Sequence, residues 1–114
     1  MQNGKYGEII YETFDEINQA LLKDNYLRHP RLIDIELMSN KSDAEIAMQY
    51  NKHVYNFMFK DLIQYEFICS DNFLNAHEVT VEKTEQGYRV IFDGTGIIVE
   101  AKDINLEVRY NGID

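Results

Sequence analysis

Cysteine, proline and tryptophan are almost missing from this sequence, and these shortages limit what it can encode. Cys69 is the single cysteine among 114 residues, so the chain cannot form an internal disulfide. A lone cysteine is typical of a reducing compartment, and we expect a cytoplasmic protein. No stretch approaches the roughly 20 apolar residues of a membrane helix. The start, MQNGKYGEII, lacks the basic and apolar regions of a signal peptide.

Basic residues are also scarce: 11 lysines and arginines stand against 20 acids, which gives a net charge of −9. Direct nucleic-acid binding needs a basic surface to neutralise phosphates, so the sequence argues against it. Binding to anionic membranes is disfavoured for the same reason. The acidity fits either simple solubility or a basic protein partner that is attracted by charge complementarity.

The length and composition predict one domain over residues 1–114. The chain is 45% hydrophobic and can bury a core without disulfides or metals. The six glycines and one proline do not form linkers or low-complexity segments. Frequent Asn, Ile and Tyr, whose codons are rich in A and T, suggest a bacterial or phage source.

The first half of the sequence predicts two helices with a short strand between them. Helix one runs from about Glu8 to Tyr26, because its apolar residues recur at spacings of four, three and four: Ile10, Phe14, Ile17 and Leu21. Alternation over residues 31–38 favours a strand, with a short helix beginning at Pro30 as the alternative. A long central helix begins after Ser42, which has capping-box spacing to Glu45, and ends between Lys60 and Ser70. A strand over residues 62–69 is the open alternative.

The last third of the sequence has the period of β-strands. Four runs rich in β-branched and aromatic residues, HEVTVEK, YRVIFD, GIIVEA and INLEVRY, predict a four-stranded antiparallel meander. Together these elements predict an α+β fold, in which the meander packs on the N-terminal and central helices.

Asp93-Gly94-Thr95-Gly96 could be a phosphate loop, a metal loop or a hairpin turn. A phosphate loop precedes a helix, but a strand-like run follows here. A calcium loop needs more oxygen ligands than this stretch supplies. Because Asp-Gly is common in hairpins and glycine adopts positive φ, we interpret the stretch as a turn that binds no ion or phosphate.

No group of residues in the sequence has the spacing of a known active site. His29, His53 and His77 are scattered, and none forms a zinc motif with a cysteine. Cys69 has no base near it in sequence, so a buried structural thiol is the better interpretation. We therefore expect no enzyme activity, no cofactor and no resident metal.

The remaining hypothesis is a protein-binding inhibitor that occludes a basic partner, such as a nucleic-acid-handling enzyme or a toxin. Bacterial toxin-immunity proteins and phage anti-defence proteins are of this general class. The alternative is a small-molecule or peptide-binding module with a pocket between the central helix and the sheet. The residues expected to bind the partner are acids and Tyr11 on helix one and polar residues of the last strand: Glu8, Tyr11, Glu12, Asp15, Glu16, Asn105, Glu107 and Arg109.

Overall fold

The computed structural model describes residues 2–3, 8–38, 42–67 and 76–109 of the chain. In this part the chain forms eight strands and one α-helix. In chain order they are β1 (Gln2–Asn3), β2 (Glu8–Tyr11), α1 (Phe14–Lys23), β3 (Arg31–Leu37), β4 (Ala44–Tyr50), β5 (His53–Phe67), β6 (Glu78–Lys83), β7 (Tyr88–Asp93) and β8 (Ile97–Arg109). One sheet contains all eight strands, and every pair of neighbours is antiparallel.

The long strand β8 is the centre of the sheet. Along one edge it pairs with β5 over nearly its whole length. Along the other edge, its first part pairs with β7 and its last part pairs with β2. The strand order across the sheet is therefore β1-β2-β8-β5-β4-β3. A branch leaves this order at β8, where β7 pairs with β8 and β6 pairs with β7.

The side-chain alternation of both long strands changes near the pair Leu62–Ala101. We call this level the bend, and it divides the sheet into two halves. In β8 the buried apolar residues are Ile97, Val99 and Ala101 before the bend and Ile104, Leu106 and Val108 after it. In β5 a bulge lies between Leu62 and Gln64, next to Asp61 with φ 58°. An extra residue of this kind shifts the side-chain alternation and increases the twist. We call the part with β1–β4 the major half and the part with β6 and β7 the minor half.

The bend curls the sheet so that the starts of β3 and β6 come together. His29 N–H donates to the carbonyl of His77 at 2.8 Å, and Ala76 N–H donates to that of Pro30 at 3.3 Å. We call these two pairs of residues the seam. The curled sheet has an inner face, which carries the core, and an outer face.

Helix α1 covers the inner face. Thr13 caps its start by accepting a hydrogen bond from Glu16 N–H at 3.2 Å. Ile17, Ala20 and Leu21 are buried against the sheet. The chain then makes a left-handed turn over Asn25–Leu27, in which all three residues have φ between 51° and 55°. The hydroxyl of Tyr55 on β5 donates to the Asp24 carboxylate and ties this turn to the sheet.

The prediction of an α+β fold with a long central helix is wrong. The segment predicted as that helix is instead a β-hairpin of β4 and β5, which turns at Asn51 and Lys52. Its buried residues alternate along each strand: Ala44, Ile46, Met48, Tyr55, Phe57 and Phe59. The wide apolar band that suggests a buried helix arises equally from two strands whose inner faces are fully buried, and Asn51 supplies the positive φ, 58°, of the turn.

Two other predicted elements, helix one and the C-terminal meander, have different bounds in the structure. Helix one begins at Phe14 instead of Glu8, because residues 8–11 form β2 and pair with β8. The expected four-stranded meander has three strands, because Lys102 and Asp103 lie at the bend inside β8 and do not form a turn. The strand prediction for residues 31–38 is confirmed by β3. The open alternative for residues 62–69 was a strand, and β5 does extend to Phe67.

The interpretation of Asp93-Gly94-Thr95-Gly96 as a turn is confirmed. These residues connect β7 to β8, and Gly94 and Gly96 have φ of 89° and 80°. Thr95 is buried; its hydroxyl donates to the Phe92 carbonyl at 2.6 Å and accepts from Ile97 N–H at 3.0 Å.

Replacing Gly94 with alanine is expected to lower the free energy of unfolding by at least about 1 kcal/mol. The alanine Cβ would lie 2.3 Å from Cδ2 of His77, in addition to the strain of positive φ. Urea denaturation measures the change, with Gln86→Ala in the other minor-half hairpin as a control that stays within about 0.5 kcal/mol. Calcium or nucleotide binding that disappears in Asp93→Asn would contradict the interpretation of this stretch as a simple turn.

Candidate functional site

The outer face of the major half is an exposed acidic surface. Buried inner residues alternate with outward residues along β3, β4, β5 and β8, so the outward residues can be read from the register. Besides Lys60 and Asp103, which face each other at the bend, five carboxylates and two arginines point outward. We call this set the acidic outer face: Glu8, Arg31, Asp34, Glu36, Glu45, Glu107 and Arg109.

Arg109 is held between two of these carboxylates. Its Nε lies 2.9 Å from Glu107 Oε1 and 3.7 Å from Glu8 Oε1. Its side chain remains 55% exposed, whereas that of Glu107 is 15% exposed. Arg109 therefore partly neutralises the β2–β8 side of the face, and the excess negative charge lies towards β3, where Asp34 and Glu36 are exposed.

Two hollows with partly apolar walls lie on this outer surface and meet at Glu45. One has a volume of about 360 Å³, and its lining includes Ile33, Ala47 and Val54. The other has a volume of about 510 Å³, lies beside the bend and includes Met58. Glu45 itself accepts a hydrogen bond from Asn56 Nδ2 at 3.0 Å. The surface therefore combines carboxylates with shallow apolar depressions.

The structure brings together four of the residues that the sequence predicted for partner binding. Glu8 pairs with Arg109 across β2 and β8, and Asn105, Glu107 and Arg109 all point to the outer face. The sequence placed Glu8 on a helix, so its position beside the last strand was not predicted. Their role in binding stays a prediction.

The other four predicted residues lie elsewhere. Tyr11, Asp15 and Glu16 line a groove of about 420 Å³ between β2 and α1, and Glu12 is exposed in the link before the helix. Asp15 and Glu16 lie in the first turn of α1, whereas Glu8 and Glu12 precede the helix, so the four acids do not form one helical quadrant. Tyr11 pairs with Leu106 and faces the inner side.

Sequence reasoning missed the acids on β3 and β4. Asp34 and Glu36 alternate with apolar residues, and this strand period was the signal that could have placed them on one face. The outward position of Glu45 was also missed, because its spacing to Ser42 was interpreted as a helix-capping box. In the structure Ser42 instead accepts Leu62 N–H through its carbonyl, at 2.7 Å.

A second polar cluster lies on the outer face of the minor half, around the buried Glu100. Its Oε1 accepts from Gln64 Nε2 and from the Arg89 guanidinium, each at 3.0 Å, and its Oε2 accepts from the Thr84 hydroxyl at 3.0 Å. Arg89 also binds Glu82 at 2.8 Å. The hydrogen bond from Gln64 and then that from Arg89 hold the pKa of Glu100 below its usual value, against the opposing effect of burial. The cluster ties β5 to the hairpin of β6 and β7.

Replacing Glu100 with glutamine is expected to destabilise the protein at pH 7 more than at pH 3. Because its folded-state pKa is lowered, the stability that the carboxylate contributes is present above the unfolded-state pKa and is lost as the pH falls. Urea denaturation at several pH values measures the difference between wild type and variant. Glu85→Gln, an exposed change in the adjacent turn, is the control. A difference that does not shrink in acid would contradict this role.

Metal-ligating and nucleophilic side chains lie mostly apart in the described part of the chain. Within residues 8–38, 42–67 and 76–109, no three histidine, cysteine or acidic side chains lie together in a way that could hold a metal ion. His29 and His77, far apart in sequence, do meet at the seam, with ring centroids 6.0 Å apart. Cys69 lies outside the described residues.

Comparison with protein-family models, with curated proteins and with solved structures found no match to this chain. Among the residues that the structure describes, no helix is long and apolar enough to span a membrane.

Proposed function

We propose that this protein binds a basic protein partner through the acidic outer face. The observation that carries the proposal is the collection of five carboxylates from four strands, β2, β3, β4 and β8, on one side of the sheet. Like charges placed side by side do not stabilise a sheet. A surface of this kind attracts a positively charged partner and orients it during encounter.

The hollows give the surface a second interface property. Ile33 is 47% exposed at a bulge in β3, and its side chain lines the smaller hollow beside Ala47 and Val54. Protein interfaces combine a central apolar area with a polar rim. Here apolar depressions lie among carboxylates, which suits a partner that presents lysine or arginine together with apolar side chains.

A basic, nucleic-acid-handling partner fits this surface best. Such a protein carries a cationic site for phosphates, and an acidic face can occlude that site. We place this interaction in the cytoplasm, where the lone cysteine stays reduced. Neither the fold nor the comparisons support the narrower roles of toxin immunity or phage anti-defence. The pocket between a central helix and the sheet, on which the alternative binding module depended, has no place in this fold.

Reversing charge on the acidic outer face is expected to weaken partner binding. The variant Asp34→Lys with Glu36→Lys changes two exposed carboxylates on β3. Once affinity capture from the native host has identified the partner, interferometry measures binding. We expect affinity to fall at least about tenfold, which equals 1.4 kcal/mol, mostly through a slower association rate. Salt should weaken wild-type binding, because the Debye length falls from about 10 Å at 0.1 M to about 3 Å at 1 M.

The matched control is Glu12→Lys with Asp15→Lys on the helix side, which changes the net charge equally. Circular dichroism checks that both double variants fold. Loss of binding only in the helix-side variant would place the site at the groove beside α1. Unchanged binding in both would show that the acids only solubilise the protein. Added duplex DNA should compete with this protein for the partner, and simultaneous binding of both would contradict occlusion.

A further inference from the structure

The seam brings two histidines from distant parts of the sequence side by side. His29 N–H donates to the His77 carbonyl at 2.8 Å, and the two imidazole rings meet edge to face with centroids 6.0 Å apart. Both side chains are exposed. Among the described residues, no side chain forms a hydrogen bond to either imidazole ring.

The backbone on the His29 side is held in an unusual conformation. Four of the five residues from Asn25 to His29 have φ between 51° and 59°. Non-glycine residues adopt this left-handed region uncommonly, and such residues persist where the surrounding structure fixes them. On the other side, the His77 ring rests against Gly94, where a Cβ would lie 2.3 Å from its Cδ2. The fold therefore fixes the backbone of His29 and packs the ring of His77 against Gly94.

We propose that His29 and His77 together bind a divalent transition-metal ion of the imidazole-preferring class, such as Zn²⁺, Ni²⁺ or Cu²⁺. Imidazole suits these ions, and affinity rises towards Cu²⁺. In a tetrahedral zinc site with Zn–N bonds of about 2.0–2.1 Å, two ring centroids lie about 5 Å apart. The two rings, with centroids 6.0 Å apart, lie about 1 Å beyond this distance. The fold supplies two ligands, and water completes the coordination.

A metal at this position would act as a clamp on the fold. The seam is the place where the curled sheet meets itself, and His29 and His77 lie on its opposite sides. A ligand that binds the folded state and not the unfolded state stabilises it by mass action. Metal binding should therefore raise the melting temperature as well as occupy the site.

The test uses tag-free protein with Cys69→Ser as the background, which removes the thiol as a competing ligand. ZnCl₂ is titrated by calorimetry into this protein and into His29→Asn, His77→Gln and His53→Gln variants of it. Asparagine is chosen at position 29 because it tolerates positive φ. Loss of an outer-shell partner alone costs about 10–100-fold in metal affinity, so loss of either ligand should weaken zinc binding at least about tenfold. The His53 variant should bind as the background does.

Two further measurements separate this site from binding by surface carboxylates. The imidazole NMR signals of His29 and His77, and not those of His53, should shift on addition of ZnCl₂, and the melting temperature should rise only when both seam histidines are present. MgCl₂, a hard cation that prefers oxygen ligands, should produce neither change. Zinc binding in the His29 or His77 variant that is as tight as in the Cys69→Ser background would overturn the proposal. So would an effect of MgCl₂ equal to that of ZnCl₂, or zinc binding without a rise in melting temperature.

Discussion

Phe57→Ala is expected to lower the free energy of unfolding by about 3–5 kcal/mol, which is typical of a buried phenylalanine. Phe57 is 1% exposed on the inner face of β5. Its neighbours in register are Ile46 on β4 and Leu106 on β8. Its ring also meets Phe92 of β7 edge to face, with centroids 5.3 Å apart. The side chain therefore joins the major half to the minor half, and its removal leaves a cavity at their junction.

Urea denaturation followed by circular dichroism measures this loss, because the chain has no tryptophan for fluorescence. Domains of this size have a total stability of about 5–15 kcal/mol, so the variant should be close to unfolding. Met58→Ala is the control, since Met58 is the next residue of β5 and points to the outer face. A Phe57 variant that melts within a few degrees of wild type would contradict the packing of the two halves described above.

Leu21→Ala is expected to cost about 2–5 kcal/mol. Leu21 is fully buried on the side of α1 that packs on the sheet, whereas its neighbour Leu22 is 49% exposed. A helix of ten residues is marginal in water by itself, so α1 depends on this packing. Loss of Leu21 should therefore destabilise the whole domain and loosen the cover of the inner face.

Leu22→Ala provides a control of identical chemistry one residue away, and it should change stability by less than about 0.5 kcal/mol. Chemical denaturation of the two variants in parallel measures the contrast. Similar losses in both would mean that α1 packs on the sheet through a different side.

Local patterns predicted the elements whose partners are close in sequence. The hairpin of β6 and β7 and the turn at Gly94 follow from alternation, β-branched residues and turn chemistry. The alternation of β3 was also sufficient to identify a strand. These features depend on residues within a few positions of one another, so the sequence contains most of what determines them.

The β4–β5 hairpin could not be recognised in the same way. Ala44, Met48 and Gln49 favour helices by intrinsic propensity, and the outward residues Ala47 and Met58 blur the alternation. Tertiary pairing overrides this preference, because β4 and β5 gain hydrogen-bonded neighbours on a curved sheet. The bends in β5 and β8 also escape sequence analysis, since they depend on each other across strands.

The candidate site depends on the same non-local pairing. Glu107 and Arg109 were identified from the alternation of the last strand, but the acids of β2, β3 and β4 reach the same face only through the sheet order. A list of acidic residues in the sequence does not reveal this surface. The seam histidines were missed for the same reason, because residues 29 and 77 become neighbours only when the sheet curls.

The central position of β8 has a consequence for how the protein folds during synthesis. Glu8 pairs with Arg109, so β2 cannot find its neighbour in the sheet until β8 has also been synthesised. Until then β5 is paired only with β4, and its inner residues expose apolar side chains on the side where β8 will pair. Such distant pairings slow folding to milliseconds or longer, and partly made chains of this kind are prone to aggregate. Nascent chains should therefore need chaperone protection until β8 has left the exit tunnel.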